Sequence, residues 1–439
     1  MDISAKPGFY WAPAAMEKLY HIGLLKVPSP VYVPLPVAKK VPAGHKCSLY
    51  VLDGFNQRII YSTRLNPKGS WYPGREILKE ASFGLYNAQE KSFKASYFKE
   101  ARNLGALCHR IQDSGGFQLF TGVTDFIDPV ALTKVHDEFA DSGVSLDLPL
   151  SLTRDVDTVR AGARMLAANS ATLLKERKGS WNLMNVSHGL TPYLRAEWQK
   201  IALKEPLDSL CIAGLRGSID NKALGANPVA LAVHMLVGML HPNDYRHYHL
   251  LGLSSTIGMF LAALIANLHQ KVVTSDSTTY LNGQQFGHYI GGTLRPAQGN
   301  FARLSCSCPA CAFTSYEYWM QDHPYLLSVH NAFAIQRQCE TLNGLARMTL
   351  AQKLTAPQTV RLLFDSGIGI NRIFQRSMLQ AVDLLLNTTS YKAAIHVDYH
   401  AKGTKTNTLF GGVPAVPENN ERQHKIIRSY ESYHGKKFL

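Results

Sequence analysis

From about residue 48 the chain alternates short apolar runs with stretches of helical period. The runs are SLYVLDG, HRIQDSGGFQLF, VSLDLPLS, WNLMNVSHG, SLCIAGLRG, HYHLLGLSS and KVVTSD. Between and after them, the spacing of apolar residues predicts helices near 92–104, 129–142, 156–176, 192–203, 228–240 and 257–268. Apolar runs of this length, each separated from the next by one helix, indicate parallel strands joined by crossover helices. Seven or eight such units over about 250 residues suit a (β/α)8 barrel better than an open doubly wound sheet. The first 45 residues break the pattern: prolines at 28, 30, 34, 36 and 42 impose extended or turn-rich backbone after a single helical stretch near 14–25.

Polar, glycine-rich groups recur where the strand-like runs end: Asp113-Ser114-Gly115-Gly116, Asp147, His188-Gly189, Gly214 and Asp276. In a barrel this is the face on which loops assemble the active site. The null for each aspartate is a cap or a turn residue; their recurrence at successive strand ends favours a shared site.

Composition narrows the class. The chain has 439 residues, 46% hydrophobic and 18% charged, as in soluble globular enzymes. An excess of 46 Lys+Arg over 32 Asp+Glu, formally +14, points to a polyanionic partner, with a basic protein that touches no nucleic acid as the plainer alternative. The longest apolar stretch, IGMFLAALIANL, is too short to span a bilayer, and MDISAKPGFYWAPAAMEK lacks a signal-peptide core, so no membrane association is expected.

Of seven cysteines, Cys306, Cys308 and Cys311 crowd into six residues, a spacing suited to a metal and not to a disulfide framework. A reducing, cytoplasmic compartment follows. Zinc takes four tetrahedral thiolate or imidazole ligands in closed structural sites. His330, near the start of a helix predicted at 326–345, is the candidate fourth ligand, and His323 competes with it. A zinc deaminase requires H-x-E and P-C-x-x-C. Here His188 is followed by Gly-Leu and Cys308 is preceded by Ser307, which excludes it. The expected organisation is an extended segment at 1–45, a catalytic barrel at 46–300, a zinc-binding subdomain at 301–346, and a helical region with a basic tail at 347–439.

DSGGFQ, followed downstream by C-x-C-x-x-C and by His330-Asn331, resembles the tRNA-guanine transglycosylase family, whose fold is a (β/α)8 barrel with an inserted structural zinc subdomain. The resemblance covers roughly residues 105–345. It implies that Asp113 is the general acid/base beside the base pocket, with Ser114 and Gly115 in the same loop, and that Phe117 stacks on the bound base. It also implies that Asp147 reads the guanine-like edge. His188 stands where the family usually has glutamine. Ala213-Gly214-Leu215 looks like the family's Gly-Gly-Leu, whose backbone touches the base. Asp276, in Asp276-Ser277-Thr278-Thr279-Tyr280, matches the nucleophile in the form found in archaeal members.

These matches imply a double displacement at C1′: a carboxylate attacks, guanine leaves, and a free 7-deazaguanine base captures the covalent intermediate. The target base must be unstacked to reach such a pocket. The bacterial tRNA-positioning sequence after the nucleophile is absent, and residues 401–439 mix seven Lys/Arg with tyrosines at 430 and 433, a composition able to grip a backbone. These departures resemble the DNA-modifying branch of the family (DpdA-type), so DNA is the expected partner, tRNA the alternative, and a non-catalytic zinc-stabilised nucleic-acid-binding protein the third reading. The family also dimerises through its zinc region, which leaves a homodimer or a helper protein open as partners.

Overall fold

The computed structural model describes residues 6–13, 25–26, 50–52, 59–61, 70–71, 83–87, 109–149, 153, 155–205, 207–215, 227–253, 255–277, 289–291, 295–297, 325–368, 370, 372–397 and 417–439. Eight strands make one all-parallel sheet: β1 (Gly8–Pro13), β2 (Phe83–Asn87), β3 (His109–Asp113), β4 (Ser142–Val144), β5 (Asn182–Ser187), β6 (Ser209–Ile212), β7 (His247–Leu250) and β8 (Val272–Ser277). Neighbours follow chain order from β2 to β8, and β1 then pairs with β8 in register, Gly8 opposite Val272 and Ala12 opposite Asp276. The two ends of the sheet come together, with Cα atoms of β1 and β2 within 8 Å. The result is a barrel-like α/β fold compatible with the TIM class.

Helices α1 (Gly116–Thr121) and α2 (Pro129–Phe139) both follow β3, and α3 (Val156–Glu176), α4 (Pro192–Ala202), α5 (Pro228–Met239), α6 (Thr256–Leu268) and α7 (Tyr325–Ala351) come after β4 to β8 in turn. Their starts are written in the sequence. The side chains of Asp128, Asp155, Thr191, Asn227 and Ser255 each accept a backbone N–H of the helix they open, and Pro129, Pro192 and Pro228 occupy the first helical position. Each such cap stabilises its helix by about 1 kcal/mol and fixes where the loop from the strand end must stop.

Helices α8 (Ala356–Asp365), α9 (Gln375–Asn387), α10 (Tyr391–Ile395) and α11 (Pro417–His434) complete the chain. Helix α9 packs on α5 and α6, and α10 on α4 and α5. This outer layer explains why α5 and α6 are apolar on every side: they are covered by the sheet within and by helices without. One contiguous core runs from Phe9 and Trp11 through the sheet to Met378, Leu385, Ile427 and Tyr430.

Several expectations need correction. The run SLYVLDG is not a barrel strand: Tyr50–Leu52 pairs antiparallel with Ile59–Tyr61 in a separate two-stranded sheet. The first barrel strand is Gly8–Pro13, inside the segment expected to be merely extended, so the barrel begins well before residue 46. Phe9 and Trp11, each 1% exposed, provide the burial that anchors it. The boundary drawn at 346 falls within α7, a single helix to Ala351 that packs against α6 and β1. The C-terminal tail is not a free basic arm from end to end. Tyr430 is fully buried and donates its hydroxyl to Ile127 O at 2.8 Å, while Arg422 is spent on Leu119 O at 3.0 Å. The helix predicted near 92–104 lies outside the described residues.

The seam of the barrel has its own solution. Gly8 N–H reaches Lys271 O toward β8, so the next residue presents its N–H and C=O to the other side, where β2 lies. Among the described residues no ladder joins β1 to β2. Instead Phe9 N–H donates to Asn343 Oδ1 at 2.9 Å, and Asn343 Nδ2 donates to Phe9 O at 2.6 Å. A side-chain amide on α7 thus satisfies the buried Phe9 N–H and, together with the weaker Cys339 thiol donor at 3.5 Å, its carbonyl. No described helix is long and apolar enough to cross a membrane.

Candidate active site

Register places the candidate residues on one face of the sheet. Ile111 lies opposite Ser142, Val144 opposite Met184, Val186 opposite Cys211, Cys211 opposite His249, and His249 opposite Thr274. Side chains alternate with period two, so two residues further along the same face stand Asp113, His188 and Asp276. The Cys211 thiol lies among them: its pKa is pushed well up, first by burial and then by the charges of Asp147, Asp113 and Asp276. Three carboxylates distant in sequence meet at the C-terminal end of the strands.

Asp113 ends β3. Its carboxyl accepts the backbone N–H groups of Ser114 and Gly115, which favour the ionised form, yet its pKa is pushed up to about 7. Burial is the largest cause, followed by Asp147 and Asp276. The residue keeps some solvent exposure, as a group at the floor of a recess does. The two glycines after it have separate reasons. Gly115 has φ 88°, a left-handed conformation that caps α1. Gly116 has ordinary backbone, but a Cβ there would sit 2.5 Å from Asp147 Oδ1.

Asp147, 4% exposed, lies beyond the short β4 with both carboxylate oxygens engaged. Ser114 Oγ donates to Oδ1 at 3.3 Å, and His188 Nε2 lies 2.6 Å from Oδ2. His188 is itself 1% exposed and packs edge-on against Trp198, ring centroids 4.9 Å apart. Its Nδ1 is buried with no hydrogen-bond partner among the described residues. Sequence had paired His188 with a glutamine position; the geometry pairs it with Asp147.

Arg195 was not anticipated. It is fully buried on α4 and donates to the carbonyls of Ser187 at 2.5 Å, Ala213 at 2.7 Å and Gly189 at 3.3 Å. Its Nε reaches His234 Nδ1 at 3.1 Å, and burial followed by the Arg195 charge holds the His234 pKa well below its usual value. The guanidinium ties the ends of β5 and β6 together. Gly189 lets the α4 backbone pack closely against this loop, since a Cβ there would fall 2.3 Å from the Arg195 backbone N. The sequence carried a signal in the polar pair Arg195 and Gln199, one turn apart on α4 and each directly following a buried apolar residue, Leu194 and Trp198.

Gly214 is left-handed, φ 78°, and partly exposed, while Leu215 is fully buried with its side chain in the core. Phe117 belongs to α1, but its side chain lies outside the described residues.

Asp276, 8% exposed, sits on β8. Gly252 N–H donates to its Oδ1 at 2.7 Å, and Gly252 is left-handed with φ 73°. His249 Nε2 is 3.2 Å from the same oxygen, out of line for a hydrogen bond. Below it, Thr274 Oγ1 lies 2.8 Å from both His249 Nδ1 and His247 Nε2. The barrel interior beneath the acids is thus polar. Burial pushes the His109 imidazole down to about 4, and it drives the fully buried His247 well below the usual range. This column was also missed, although the spacing of His247-Tyr248-His249 on a strand puts both histidines on one face.

Of the expected metal ligands, His330 lies in the second turn of α7 and is 2% exposed, while Cys306, Cys308 and Cys311 lie outside the described residues. Among the described residues no group of three or more His, Cys, Asp or Glu side chains is placed to hold a metal.

Three acids near one end of the sheet differ in environment: Asp113 titrates near neutrality, Asp147 has both oxygens engaged, and Asp276 accepts one backbone N–H. No protein-family model and no curated protein matches the chain.

Proposed function

We propose that the protein exchanges guanine in DNA for a 7-deazaguanine derivative of the preQ0 type, on a (β/α)8 barrel that carries an inserted structural zinc site. The observation that carries the reading is the convergence of Asp113, Asp147 and Asp276, with Asp113 pushed up to about 7 by burial and by the other two. A carboxyl group with that pKa exists in both forms at neutral pH, which general acid and general base catalysis by one residue requires.

In this scheme an Asp276 oxygen attacks C1′ of the flipped nucleotide, and the C1′–N9 bond breaks with its electron pair moving to the guanine. Asp113 protonates the departing base. The incoming base then gives its N9 proton to Asp113, forms the new C1′–N9 bond, and releases the Asp276 carboxylate. Asp147, fixed by Ser114 and His188, reads the hydrogen-bonding edge of the base, and the Gly214–Leu215 backbone borders it. Phe117 is assigned the stacking face. Cys306, Cys308, Cys311 and His330 would hold the zinc, whose contribution is to folding and not to bond breaking. The net charge of +14 suits a polyanionic substrate.

The test is release of radiolabelled guanine from DNA and from tRNA, assayed in parallel with a 7-deazaguanine base present. The proposal expects release from DNA, reduced at least about 10⁴-fold by Asp276→Asn. Release from tRNA alone would move the activity to tRNA. Release from neither would leave a nucleic-acid-binding protein without this chemistry.

A further inference from the structure

We propose that His249, with its tautomer set by Thr274, positions the Asp276 carboxylate so that Oδ2 is the oxygen that attacks. This rests on the functional reading above and adds to it a residue and an atom. Both observed neighbours of the carboxylate lie on one oxygen: Gly252 N–H at 2.7 Å and His249 Nε2 at 3.2 Å from Oδ1. Among the described residues no hydrogen bond or ion pair reaches Oδ2. His249 is 0% exposed, and its Nε2 has no hydrogen-bond partner among the described residues.

Proton placement in the column decides what His249 presents. Thr274 Oγ1 has one proton to give and lies 2.8 Å from His247 Nε2, 2.8 Å from His249 Nδ1 and 3.4 Å from Tyr248 O. If the hydroxyl donates to Tyr248 O, both imidazoles must donate to Oγ1, and a neutral His249 then turns a lone pair toward the Asp276 carboxylate. If it donates to His249 Nδ1, the order becomes His247 Nε2–H to Thr274, Thr274 to His249 Nδ1, and His249 Nε2–H toward Asp276. If it donates instead to His247 Nε2, His249 Nδ1–H must donate to Oγ1 and a lone pair again faces Asp276. All three arrangements make both 2.8 Å contacts, and only the second turns an N–H to the carboxylate and removes the repulsion. The neutral His247 that it needs agrees with burial and with the neighbouring His109 and His249, which all disfavour its charge. A small rotation brings the Nε2–H into line with Oδ1, ties down that oxygen and turns Oδ2 toward the substrate.

Two measurements on the full-length protein test this. In ¹⁵N-histidine NMR, His249 should be the Nε2–H tautomer, and its Nε2 signal should shift in Asp276→Asn. In single-turnover base release from DNA, His249→Leu and Thr274→Val should slow the chemical step by about 10²-fold, with DNA affinity unchanged. His249→Gln, which places an N–H near the same point, and Thr274→Ser should recover most of the rate. Thr274→Val preserves side-chain shape, so it covers the case in which His249→Leu fails to fold. An Nδ1–H tautomer, or equal rates for wild type, His249→Leu and Thr274→Val, overturns the proposal. An Nε2–H tautomer in a protein that releases no base from DNA or tRNA supports the hydrogen-bond column and removes the base-exchange reading, so the two fail separately.

Discussion

The recess contains two buried aspartate–histidine pairs that differ in one respect. Asp147 has both oxygens engaged, one by Ser114 and one by His188 at 2.6 Å, whereas among the described residues Asp276 accepts one hydrogen bond, from Gly252 on Oδ1, with His249 Nε2 3.2 Å from the same oxygen and out of line. A carboxylate held at both ends is a rigid recognition group, while one held at one end keeps an oxygen free to form a bond. In the proposed scheme the same two residue types, on β8 and beyond β4 of one sheet, take different roles through the number of oxygens that their neighbours occupy. Asp113 differs from both: burial and the other two carboxylates raise its pKa against the pull of the Ser114 and Gly115 N–H groups.

The comparison is broken most severely by exchanging the roles. Asp276→Asn should abolish base release, whereas Asp147→Asn should leave the chemistry intact and raise the KM for the incoming base by about 10²-fold, because one member of a buried pair is altered. Steady-state kinetics with varied base concentration separates the two. Equal losses of kcat in both variants would mean that the pairs do not differ in kind.

Asp113 supplies the next effect. Its acid form is needed for guanine to leave, so base release should fall as pH rises through about 7, and Asp113→Asn should lose that limb together with about 10²- to 10⁴-fold of rate. A pH–rate profile flat from 6 to about 8.5 would contradict the assignment.

The same shift has a consequence for stability. The native pKa is raised, so the folded protein binds a proton that the unfolded chain releases. The stabilising contribution is full below the ordinary carboxylate range and is lost as pH rises through about 7. Asp113→Asn should therefore be more stable than wild type at pH 8, by about 2 kcal/mol after discounting for solvent near the carboxyl, and nearly equal to it at pH 4. Denaturant melts at the two pH values check the sign.

The repeating strand–helix order was legible because each helix announces itself: Asp128-Pro129, Thr191-Pro192 and Asn227-Pro228 are caps followed by proline, and the structure starts α2, α4 and α5 at those prolines. The first strand was not. GFYWAP is short, is bounded by glycine and proline, and is buried on both faces, so it carries no alternation to mark it as a strand, and SLYVLDG is the better-looking strand by composition. Asp113, Asp147 and Asp276 could be read because each follows an apolar run that ends in polar residues. Arg195, His247 and His249 could not be read as easily. They are polar residues on faces that periodicity marks as core, and their partners are a set of carbonyls and a threonine hydroxyl that only the packed barrel brings together.

The most direct test of the central claim is to incubate the protein with DNA in the absence of incoming base, denature it rapidly, and map the nucleotide-bearing peptide by mass spectrometry. The account predicts a covalent adduct on Asp276, formed by wild type and absent from Asp276→Asn. An adduct on Asp113 or Asp147, or base release that proceeds with Asp276 replaced, would contradict it.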